Sequence, residues 1–300
     1  MISIVIPLYN KEKHIARTLQ TVFNQTFQDF EIVIVDDGST DHSISEVEKF
    51  NDSRIRLIQQ PNAGVSAARN RGIEEAKYNL IAFLDADDEW KSEYLQTQSE
   101  LVQKYPECKV FACNYEFKNE NGKITPTIIN KLSFKEIGGV LDNYFEVAAC
   151  SHPPLWTSAV VAKKEAILSI GGFPTGVKQG EDLLTWARLA VRYKIAYSKN
   201  TLAIFNINND DSKPKRNPVK PDVVGAELKH LGDSNSVKGL RQYNSLWHKM
   251  RASMYLRLND RKNAFRETGI ALRLNPLNYK LLIYIVLLIL PLNIGRKLLR

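Results

Sequence analysis

The sequence predicts an α/β fold, in which a mainly parallel β-sheet is covered by helices on both faces and is followed by a helical C-terminal region. Three observations predict it. Short apolar runs alternate with segments of helical spacing, which is typical of βαβ units. Those runs are continuous rather than alternating, as expected of strands that are buried on both faces. Beyond Pro221 the pattern becomes helical.

Four apolar runs in the first half predict parallel strands, at residues 4–6, 32–35, 55–58 and 80–84. The segments at 12–25 and 65–76 have the spacing of crossover helices, and the second opens with small residues that allow a close backbone approach. Residues 105–117 predict a further strand. Asn121-Gly122 is a hairpin signal, so we expect an antiparallel edge in the second half of the sheet.

A polar stretch at residues 206–221, which contains three prolines, predicts a loop and a domain boundary. We expect one domain over residues 1–215 and a helical C-terminal region over 222–300. Residues 245–258 and 261–274 predict two helices, and Asn275-Pro276 ends the second. The pair resembles one tetratricopeptide unit. Such repeats need about three copies for stability, so a plain helical hairpin is the safer interpretation.

The last segment is aliphatic over residues 281–294 apart from Pro291 and Asn293, and basic residues flank it. A bilayer-spanning helix needs about 20 apolar residues, so this one is short and is broken by proline. Each basic flank adds about 1 kcal/mol near anionic lipid. The pattern favours a tail, residues 281–300, that associates with an anionic membrane surface. The alternative is a C-terminal helix that packs on its own domain.

The composition of the chain limits the classes of partner. With 300 residues, 44% hydrophobic and 25% charged, it is not a disordered sequence, and its net charge of +8 favours anionic partners. Lysine and arginine are spread along the chain without a reader motif, so we expect no nucleic acid. The three cysteines show no metal spacing and indicate a reducing compartment. The first residues lack the features of a secretory signal, so we expect the cytoplasmic side.

Polar residues follow three of the predicted strands, at residues 7–10, 36–41 and 85–88. In a parallel sheet, ligands bind beyond the carboxyl ends of the strands, so these residues are the first candidates for a site. Several carboxylates at one sheet edge repel each other unless a cation lies among them. Oxygen-only ligands suit Mg²⁺ or Mn²⁺, which also engage the phosphates of a substrate. The pattern therefore favours a diphosphate-bearing substrate.

Six blocks carry a resemblance to a known family: SIVIPLYN at 3–10, VDDGSTD at 35–41, NAGVSAARNRG at 62–72, FLDADD at 83–88, GGF at 171–173 and GEDL at 180–183. In this order and spacing they resemble the inverting glycosyltransferases of family 2, which have the Rossmann-like GT-A fold. The resemblance covers residues 2 to about 212. A bare D-x-D is common by chance, whereas six ordered blocks are specific.

The resemblance implies a metal-dependent hexosyltransferase that uses Mn²⁺ or Mg²⁺. Its donor would be a nucleotide-diphosphate sugar, expected to be a UDP-sugar. Its acceptor would be a hydroxyl of a saccharide or lipid-linked saccharide, in cell-surface polysaccharide or lipopolysaccharide biosynthesis. With the basic tail, we expect a peripheral protein on the inner face of the cell membrane.

The resemblance also implies roles for individual residues. Nucleotide-sugar binding falls on Pro7, Tyr9, Asp37, Gly64, Arg69 and Asp85. Metal binding falls on Asp87 with Asp85, and the base falls on Asp182, beside Glu181 at the start of a helix predicted over 183–193. Several of these residues also have an alternative, purely structural role. The aspartates could form turns and caps, and Arg69 could form a structural ion pair.

Two tryptophans and one further aspartate complete the candidates. Trp156 and Trp186 could stack on an acceptor sugar, and Trp186 lies four residues after Asp182 on the same helix face. The alternative for both is a place in the core. Alternation along the strand end would put Asp85 and Asp87 on one face, while Asp88 points away as a helix N-cap or as support for the site.

One block departs from the family pattern. Members commonly carry Arg and His in a Tyr-Arg-x-His stretch, where this chain has Asn206 and Asn208. The polar residues after it are expected to fold over the bound donor. The missing Arg and His suggest one alternative, a noncatalytic membrane-peripheral protein that binds nucleotide-sugar or acts as a scaffold. A second alternative is another enzyme, a nucleotidyltransferase that makes the activated sugar.

Overall fold

The computed structural model of the chain describes residues 1–207, 217–234, 237–278 and 280–289, with only the backbone of Lys280 and Ile289. The chain divides into two compact units. The first comprises Met1–Tyr144 and Ser151–Asn209, and the second comprises Phe145–Cys150 and Asp210–Arg300. The expected boundary at 215–222 overlaps residues outside the described part and stays a prediction.

The first unit contains a sheet of ten strands. Its parallel half consists of β1 (Ile2–Leu8), β2 (Phe30–Asp36), β3 (Ile55–Gln59) and β4 (Leu80–Phe83). These strands lie in the order β3-β2-β1-β4, and every neighbouring pair is parallel. The four predicted apolar runs are therefore confirmed as strands within a few residues.

The second half of the sheet is mixed. Its strands are β5 (Glu89–Trp90), β6 (Val110–Asn119), β7 (Ile124–Pro126), β8 (Gly138–Val140), β9 (Val160–Lys163) and β10 (Ile195–Ile207). Strand β9 runs antiparallel to both β4 and β6, whereas β6 and β10 are parallel. Strands β6 and β7 form the hairpin that Asn121-Gly122 predicted. The expected antiparallel edge is confirmed.

The helices of the first unit alternate with these strands. They are α1 (Ile15–Phe23), α2 (Ser43–Glu48), α3 (Val65–Glu75), α4 (Tyr94–Lys104), α5 (Tyr144–Ala148), α6 (Lys164–Ser169) and α7 (Glu181–Arg192), where α5 ends in the second unit. The strand predicted from residue 105 begins only at Val110. The reason is that the backbone N–H of Tyr105 still donates to Leu101 and ends α4.

The core explains why the strand sequences are continuously apolar. Along β2, Ile32 and Ile34 belong to one buried cluster, whereas Val33 and Val35 belong to a second cluster with Ala68 of α3. Strand β2 therefore buries both of its faces. Gly72 lets α3 lie directly on β1, because any Cβ at this position would overlap the side chain of Val5. This close approach positions the α3 residues that reach the sheet edge.

The second unit contains α8 (Val223–Ser234), α9 (Leu240–Arg257), α10 (Arg261–Leu274) and α11 (Lys280–Ile289). The predicted helix at 245–258 starts five residues earlier than expected, at Leu240. Asp260 caps the N-terminus of α10, and its carboxylate accepts a hydrogen bond from the Asn263 N–H. Among the described residues, no helix has the length and hydropathy needed to cross a bilayer.

Candidate active site

The loops after β1, β2 and β4 meet at one edge of the sheet. Their strands are neighbours in parallel register, with Leu8 at the end of β1 opposite Asp36 at the end of β2. The Asn10 N–H donates to Ser39 Oγ at 3.0 Å, which joins the first two loops. Lys11 Nζ contacts Asp87 Oδ2, which joins the first loop to the third. The structure thus brings the three polar clusters together.

Asp37 organises the predicted nucleotide end of this edge. Its buried carboxylate accepts hydrogen bonds at Oδ1 from Gln60 Nε2 at 2.7 Å and the Ala63 N–H at 2.9 Å, and at Oδ2 from the Gly64 N–H at 2.8 Å. Gly64 has a φ of +90°, which L side chains rarely adopt. A carboxylate offers about four acceptor positions, so one remains at Oδ2.

Tyr9 lies beside Asp37's loop and is open to solvent. Its side chain is 47% exposed, whereas Pro7 is only partly exposed within β1. The next residue, Asn10, has a φ of 50°. Its Oδ1 accepts from the Thr40 N–H at 2.8 Å, which compensates for the strained backbone. The turn leaves the ring of Tyr9 accessible for stacking.

Arg69 connects the third loop to helix α7. Its guanidinium is buried and donates to Asp85 Oδ1 at 2.7 Å, while Glu181 Oε1 lies 3.5 Å away. The ring of Phe173 lies 5.1 Å from the guanidinium carbon. Asn70, the next residue, exchanges two hydrogen bonds of 2.8 Å with the backbone of Phe173. The blocks at 62–72, 171–173 and 180–183 are therefore packed together.

Asp85 and Asp87 lie in a turn and not on a strand, because β4 ends at Phe83 and the Asp88 N–H donates back to the Asp85 carbonyl at 3.0 Å. The expectation that strand alternation places both side chains on one face is therefore wrong, because these residues are not part of a strand. Their carboxylates contact different cations, Arg69 and Lys11. Both remain partly open, with side-chain exposures of 28% and 22%.

Asp88 supports this turn through hydrogen bonds and does not cap a helix, since α4 begins only at Tyr94. Its carboxylate accepts from Ser158 Oγ at 2.6 Å and from the Asn206 N–H at 3.2 Å. Complete burial raises the pKa of Asp88 well above its ordinary value, and the charges of Asp85 and Asp87 raise it further.

Asn206, at the position where the family pattern has Arg, also holds the turn. Its Nδ2 donates to the Asp87 carbonyl at 2.8 Å, and its side chain is buried. It therefore fixes the turn that contains Asp85 and Asp87 by hydrogen bonds and supplies no positive charge. Asn208, and most of the stretch expected to fold over the donor, lie outside the described residues.

Helix α7 presents two adjacent carboxylates in its first turn, after Gly180 with a φ of 75°. Burial raises the pKa of Glu181, and the charge of Asp182 adds to that rise, while the charge of Arg69 opposes it. Asp182 is only partly buried, and its charge also raises the pKa of Tyr115, after the larger effect of burial. The charge of Asp182 therefore acts both on the Arg69 network and on Tyr115 of β6.

The two tryptophans have different environments. Trp186 is 1% exposed and packs edge-on against Phe83 and Phe173. This corrects the expectation of an acceptor contact, because no face of its ring is open to a sugar. Trp156 is partly exposed and stacks on Phe205 with ring centroids 5.0 Å apart. Phe205 itself is 37% exposed, so this pair offers an aromatic surface.

Lys11 and Ser158 were missed by the sequence reasoning. Lys11 follows Tyr9-Asn10 directly, so a cation in the loop after β1 was an available signal. Ser158 gave no signal. It reaches Asp88 because β9 pairs with β4 across a long stretch of chain, and local sequence does not encode that pairing.

A second set of possible metal ligands lies in the second unit. Ligand atoms of Asp222, His248 and Glu267 all lie within 4.8 Å of one another. However, Arg251 Nε lies 3.2 Å from Asp222 Oδ2 and 3.1 Å from Glu267 Oε1. The guanidinium already neutralises these carboxylates, so a metal ion would have to displace a buried arginine. We interpret this set as a structural network.

Known proteins share both sequence and fold with this chain. Residues 3–155 match the family model described as Glycosyl transferase family 2. An uncharacterized glycosyltransferase of Rickettsia bellii (strain RML369-C) is 29% identical over 216 residues, which cover 70% of this chain and 29% of that protein. The Escherichia coli protein UDP-Glc:alpha-D-GlcNAc-diphosphoundecaprenol beta-1,3-glucosyltransferase WfgD is 36% identical over 122 residues, or 40% of this chain and 48% of that protein.

The fold comparison agrees. The crystal structure of S. aureus TarS 1-349 in complex with UDP-GlcNAc matches with a TM-score of 0.69 at 20% identity, and covers 91% of this chain and 81% of that chain. The chain spans less than a third of the Rickettsia protein and less than half of WfgD. The family match covers half of the sequence and includes the loops that form the sheet edge. The chain belongs to glycosyl transferase family 2, with the GT-A fold.

Proposed function

We propose that this chain is a metal-dependent inverting hexosyltransferase that moves a sugar from a UDP-sugar to a saccharide hydroxyl, in the assembly of cell-surface polysaccharide or lipopolysaccharide. One observation carries the proposal. Arg69 contacts both Asp85, in the loop expected to hold the donor, and Glu181, the neighbour of the proposed base Asp182. The groups for donor binding and for acceptor activation therefore lie around one guanidinium.

The donor is inferred from chemistry and from relatives. The remaining acceptor position at Asp37 Oδ2 suits the N3–H of uracil, and the exposed ring of Tyr9 suits stacking on the base. TarS has been crystallised with UDP-GlcNAc, and WfgD is named for UDP-Glc and a diphosphoundecaprenol-linked acceptor. By this likeness we infer a UDP donor and a lipid-linked saccharide acceptor.

The residues present fit a divalent cation. Asp85 and Asp87 lie in one turn and their carboxylates are partly open to solvent, so oxygen ligands are accessible to an ion. Mg²⁺ or Mn²⁺ held by Asp87 and Asp85 would supply electrostatic stabilisation of the departing diphosphate. Arg69 adds a fixed positive charge, and Asn206 fixes the backbone of the turn.

Asp182 takes the role of general base. Inversion requires a base on the face of the sugar opposite the leaving group, so that it accepts the proton of the attacking hydroxyl. Both carboxylates of the Glu181-Asp182 pair are partly open, but Arg69 contacts Glu181, which leaves Asp182 for the proton. Trp156 and Phe205 offer the exposed aromatic surface against which an acceptor sugar can stack. Glu181 then acts by positioning Arg69.

The test compares transfer by wild type, Asp182→Asn and a matched surface control, Asp29→Asn, whose side chain is 61% exposed. UDP-, GDP- and dTDP-sugars are screened with Mn²⁺ for release of nucleoside diphosphate. We expect release from UDP-sugars, a loss of about 10²- to 10⁴-fold in Asp182→Asn and no change in the control. Equal turnover in Asp182→Asn contradicts the base assignment. Binding without any turnover supports the noncatalytic alternative, and release of pyrophosphate supports a nucleotidyltransferase.

The metal assignment has its own test. Asp87→Ala should abolish the Mn²⁺ dependence of UDP binding, measured by calorimetry, while the far-UV circular dichroism stays that of wild type. Asp88 is unsuitable for this purpose, since its buried carboxylate supports the fold of the turn. Unchanged Mn²⁺-dependent affinity for UDP in Asp87→Ala would contradict the assignment.

We also propose that the C-terminal tail, residues 281–300, associates with the cytoplasmic face of an anionic membrane. Helix α11 buries Leu281 and Leu287 but leaves three aliphatic side chains more than half exposed: Leu282, Ile283 and Val286. One face thus packs in the second unit, as in the core alternative, and the other face is available to lipid. The last residues, with Arg296, Lys297 and Arg300, lie outside the described part.

The tail is tested by sedimentation with phospholipid vesicles, anionic or neutral. Replacement of Leu282, Ile283 and Val286 by serine should release the protein from anionic vesicles, as should deletion of residues 281–300. The deletion also removes buried Leu281 and Leu287, so the serine variant is the cleaner of the two. Retention of both variants on anionic vesicles contradicts the proposal.

A further inference from the structure

Lys11 places a positive charge on the carboxylate that the proposed function assigns to the metal. Its Nζ contacts Asp87 Oδ2. Both backbones are held in place. The Lys11 N–H donates to Ser43 Oγ at 2.7 Å, and the Asp87 carbonyl accepts from Asn206 Nδ2 at 2.8 Å. The side-chain contact is therefore a feature of two fixed loops, and a divalent ion at Asp87 competes with the ammonium for the charge of the same carboxylate.

The two cations of the turn differ in how readily they can leave. Arg69 has a side chain that is 4% exposed and contacts two carboxylates, from Asp85 and Glu181. Among the residues that the structure describes, Lys11 contacts one carboxylate, and its side chain is 24% exposed. An ammonium on a flexible stem is a strongly hydrated point charge, whereas a guanidinium in a two-sided contact is fixed in orientation. Lys11 is the cation that an incoming ion displaces.

We infer that Lys11 is a resident counter-ion that exchanges partners during donor binding. Without donor, Lys11 neutralises Asp87 and competes with the divalent ion. With donor, the diphosphate offers Lys11 a new anionic partner, so the ion can occupy Asp87 without leaving the ammonium unpaired. This inference rests on the proposed function. Its consequence is that nucleotide and metal bind cooperatively, and part of that coupling comes from Lys11.

The experiment measures free Mn²⁺ by electron paramagnetic resonance in titrations of Lys11→Met and Lys11→Gln, with and without UDP. Lys13→Met is the matched control, because Lys13 is an exposed lysine two residues away. Without UDP, we expect both Lys11 variants to bind Mn²⁺ about fivefold more tightly than wild type, a size consistent with a partly exposed ion pair. With UDP, the gain should disappear.

Two outcomes overturn the inference. Unchanged Mn²⁺ affinity without UDP shows that Lys11 does not compete. An equal gain with and without UDP shows that Lys11 finds no partner on the nucleotide. Asp87→Ala separates this inference from the proposed function. If Asp87→Ala binds Mn²⁺ as wild type does, the metal assignment itself fails. If Asp87→Ala loses Mn²⁺ and the Lys11 variants behave as wild type, only the role of Lys11 fails.

Discussion

Each of the two units contains a buried arginine between two carboxylates. In the first unit, Arg69 lies 2.7 Å from Asp85 and 3.5 Å from Glu181. In the second unit, Arg251 lies 3.2 Å from Asp222 and 3.1 Å from Glu267. Both arginines are 3% exposed. Burial of a charge and the presence of paired acids therefore do not by themselves distinguish a functional site from a structural one.

The surroundings of the two arginines differ. In the second unit, Trp247 Nε1 and the Gly225 N–H each donate to Asp222 at 3.0 Å, and His248 Nδ1 lies 2.6 Å from Glu267. This network satisfies its carboxylates internally. Around Arg69, the further acids Asp87, Asp88 and Asp182 crowd the same region, and some of them face solvent. Surplus and partly open carboxylates indicate a ligand site, whereas a closed, neutralised network indicates stability.

The largest expected effect on stability is that of Arg251→Met. Removal of this guanidinium leaves Asp222 and Glu267 without their shared cation, which should destabilise the second unit by about 3 to 5 kcal/mol. Hydrogen-exchange mass spectrometry of the whole chain measures this as lost protection in α9 and α10. Arg257→Met, an exposed position on the same helix, is the control. Wild-type protection in Arg251→Met would refute the structural interpretation of this network.

Arg69→Met should affect ligand binding more than the stability of its unit. Its carboxylate partners retain access to water, with Asp85 28% and Glu181 16% exposed, so we expect a loss of only about 1 to 2 kcal/mol in the first unit. Loss of a charge-assisted contact should weaken UDP binding by about 10- to 100-fold, measured by calorimetry with Mn²⁺. Arg71→Met, 49% exposed on the same helix, serves as control. UDP affinity equal to wild type would make Arg69 a purely structural residue.

Local patterns predicted much of the fold and of the site. The parallel strands were predictable because each is a continuous apolar run, and Asp37, Asp85 and Asp182 follow strands or begin a helix within recognisable blocks. The spacing of residues in the sequence did not predict which side chains form hydrogen bonds with each other. For Asp88 the sequence left a helix cap and support for the site as alternatives. The residues that hold it, Ser158 and Asn206, lie 70 and 118 residues away in sequence.

Trp186 shows the same limit of sequence spacing for a residue on a helix. Trp186 shares a face with Asp182, as its spacing predicted, but two aromatic residues from other elements, Phe83 and Phe173, cover it. Periodicity predicts the face of the helix on which a side chain lies, but it does not predict which residues of other elements pack against that face. The network around Arg251 was missed for the same reason, because its members lie on separate segments of the chain.

The smallest effect concerns pH and compares one glutamate from each network. Burial raises the pKa of Glu267, but the hydrogen bond from His248 and the charge of Arg251 outweigh it, so its pKa lies below the ordinary value of 4.5. Its contribution to stability is therefore complete above that value and is lost as the pH falls through the lower folded pKa. For Glu181 the pKa is raised by burial and by Asp182, so its contribution is present at low pH and is lost as the pH rises through the folded pKa.

Substitution by glutamine should separate these two cases. Glu267→Gln should destabilise the second unit by about 1 to 3 kcal/mol at neutral pH, and by less near pH 4, where the wild type has begun to lose the same contribution. Glu181→Gln should leave the first unit unchanged or slightly more stable at neutral pH, because it removes a carboxylate whose charge is disfavoured by burial and by Asp182. Hydrogen exchange of each variant at the two pH values resolves the units separately. If Glu267→Gln has the same effect at both pH values, its ionised form does not stabilise the second unit, and the contrast between the two arginine networks would have to rest on solvent exposure alone.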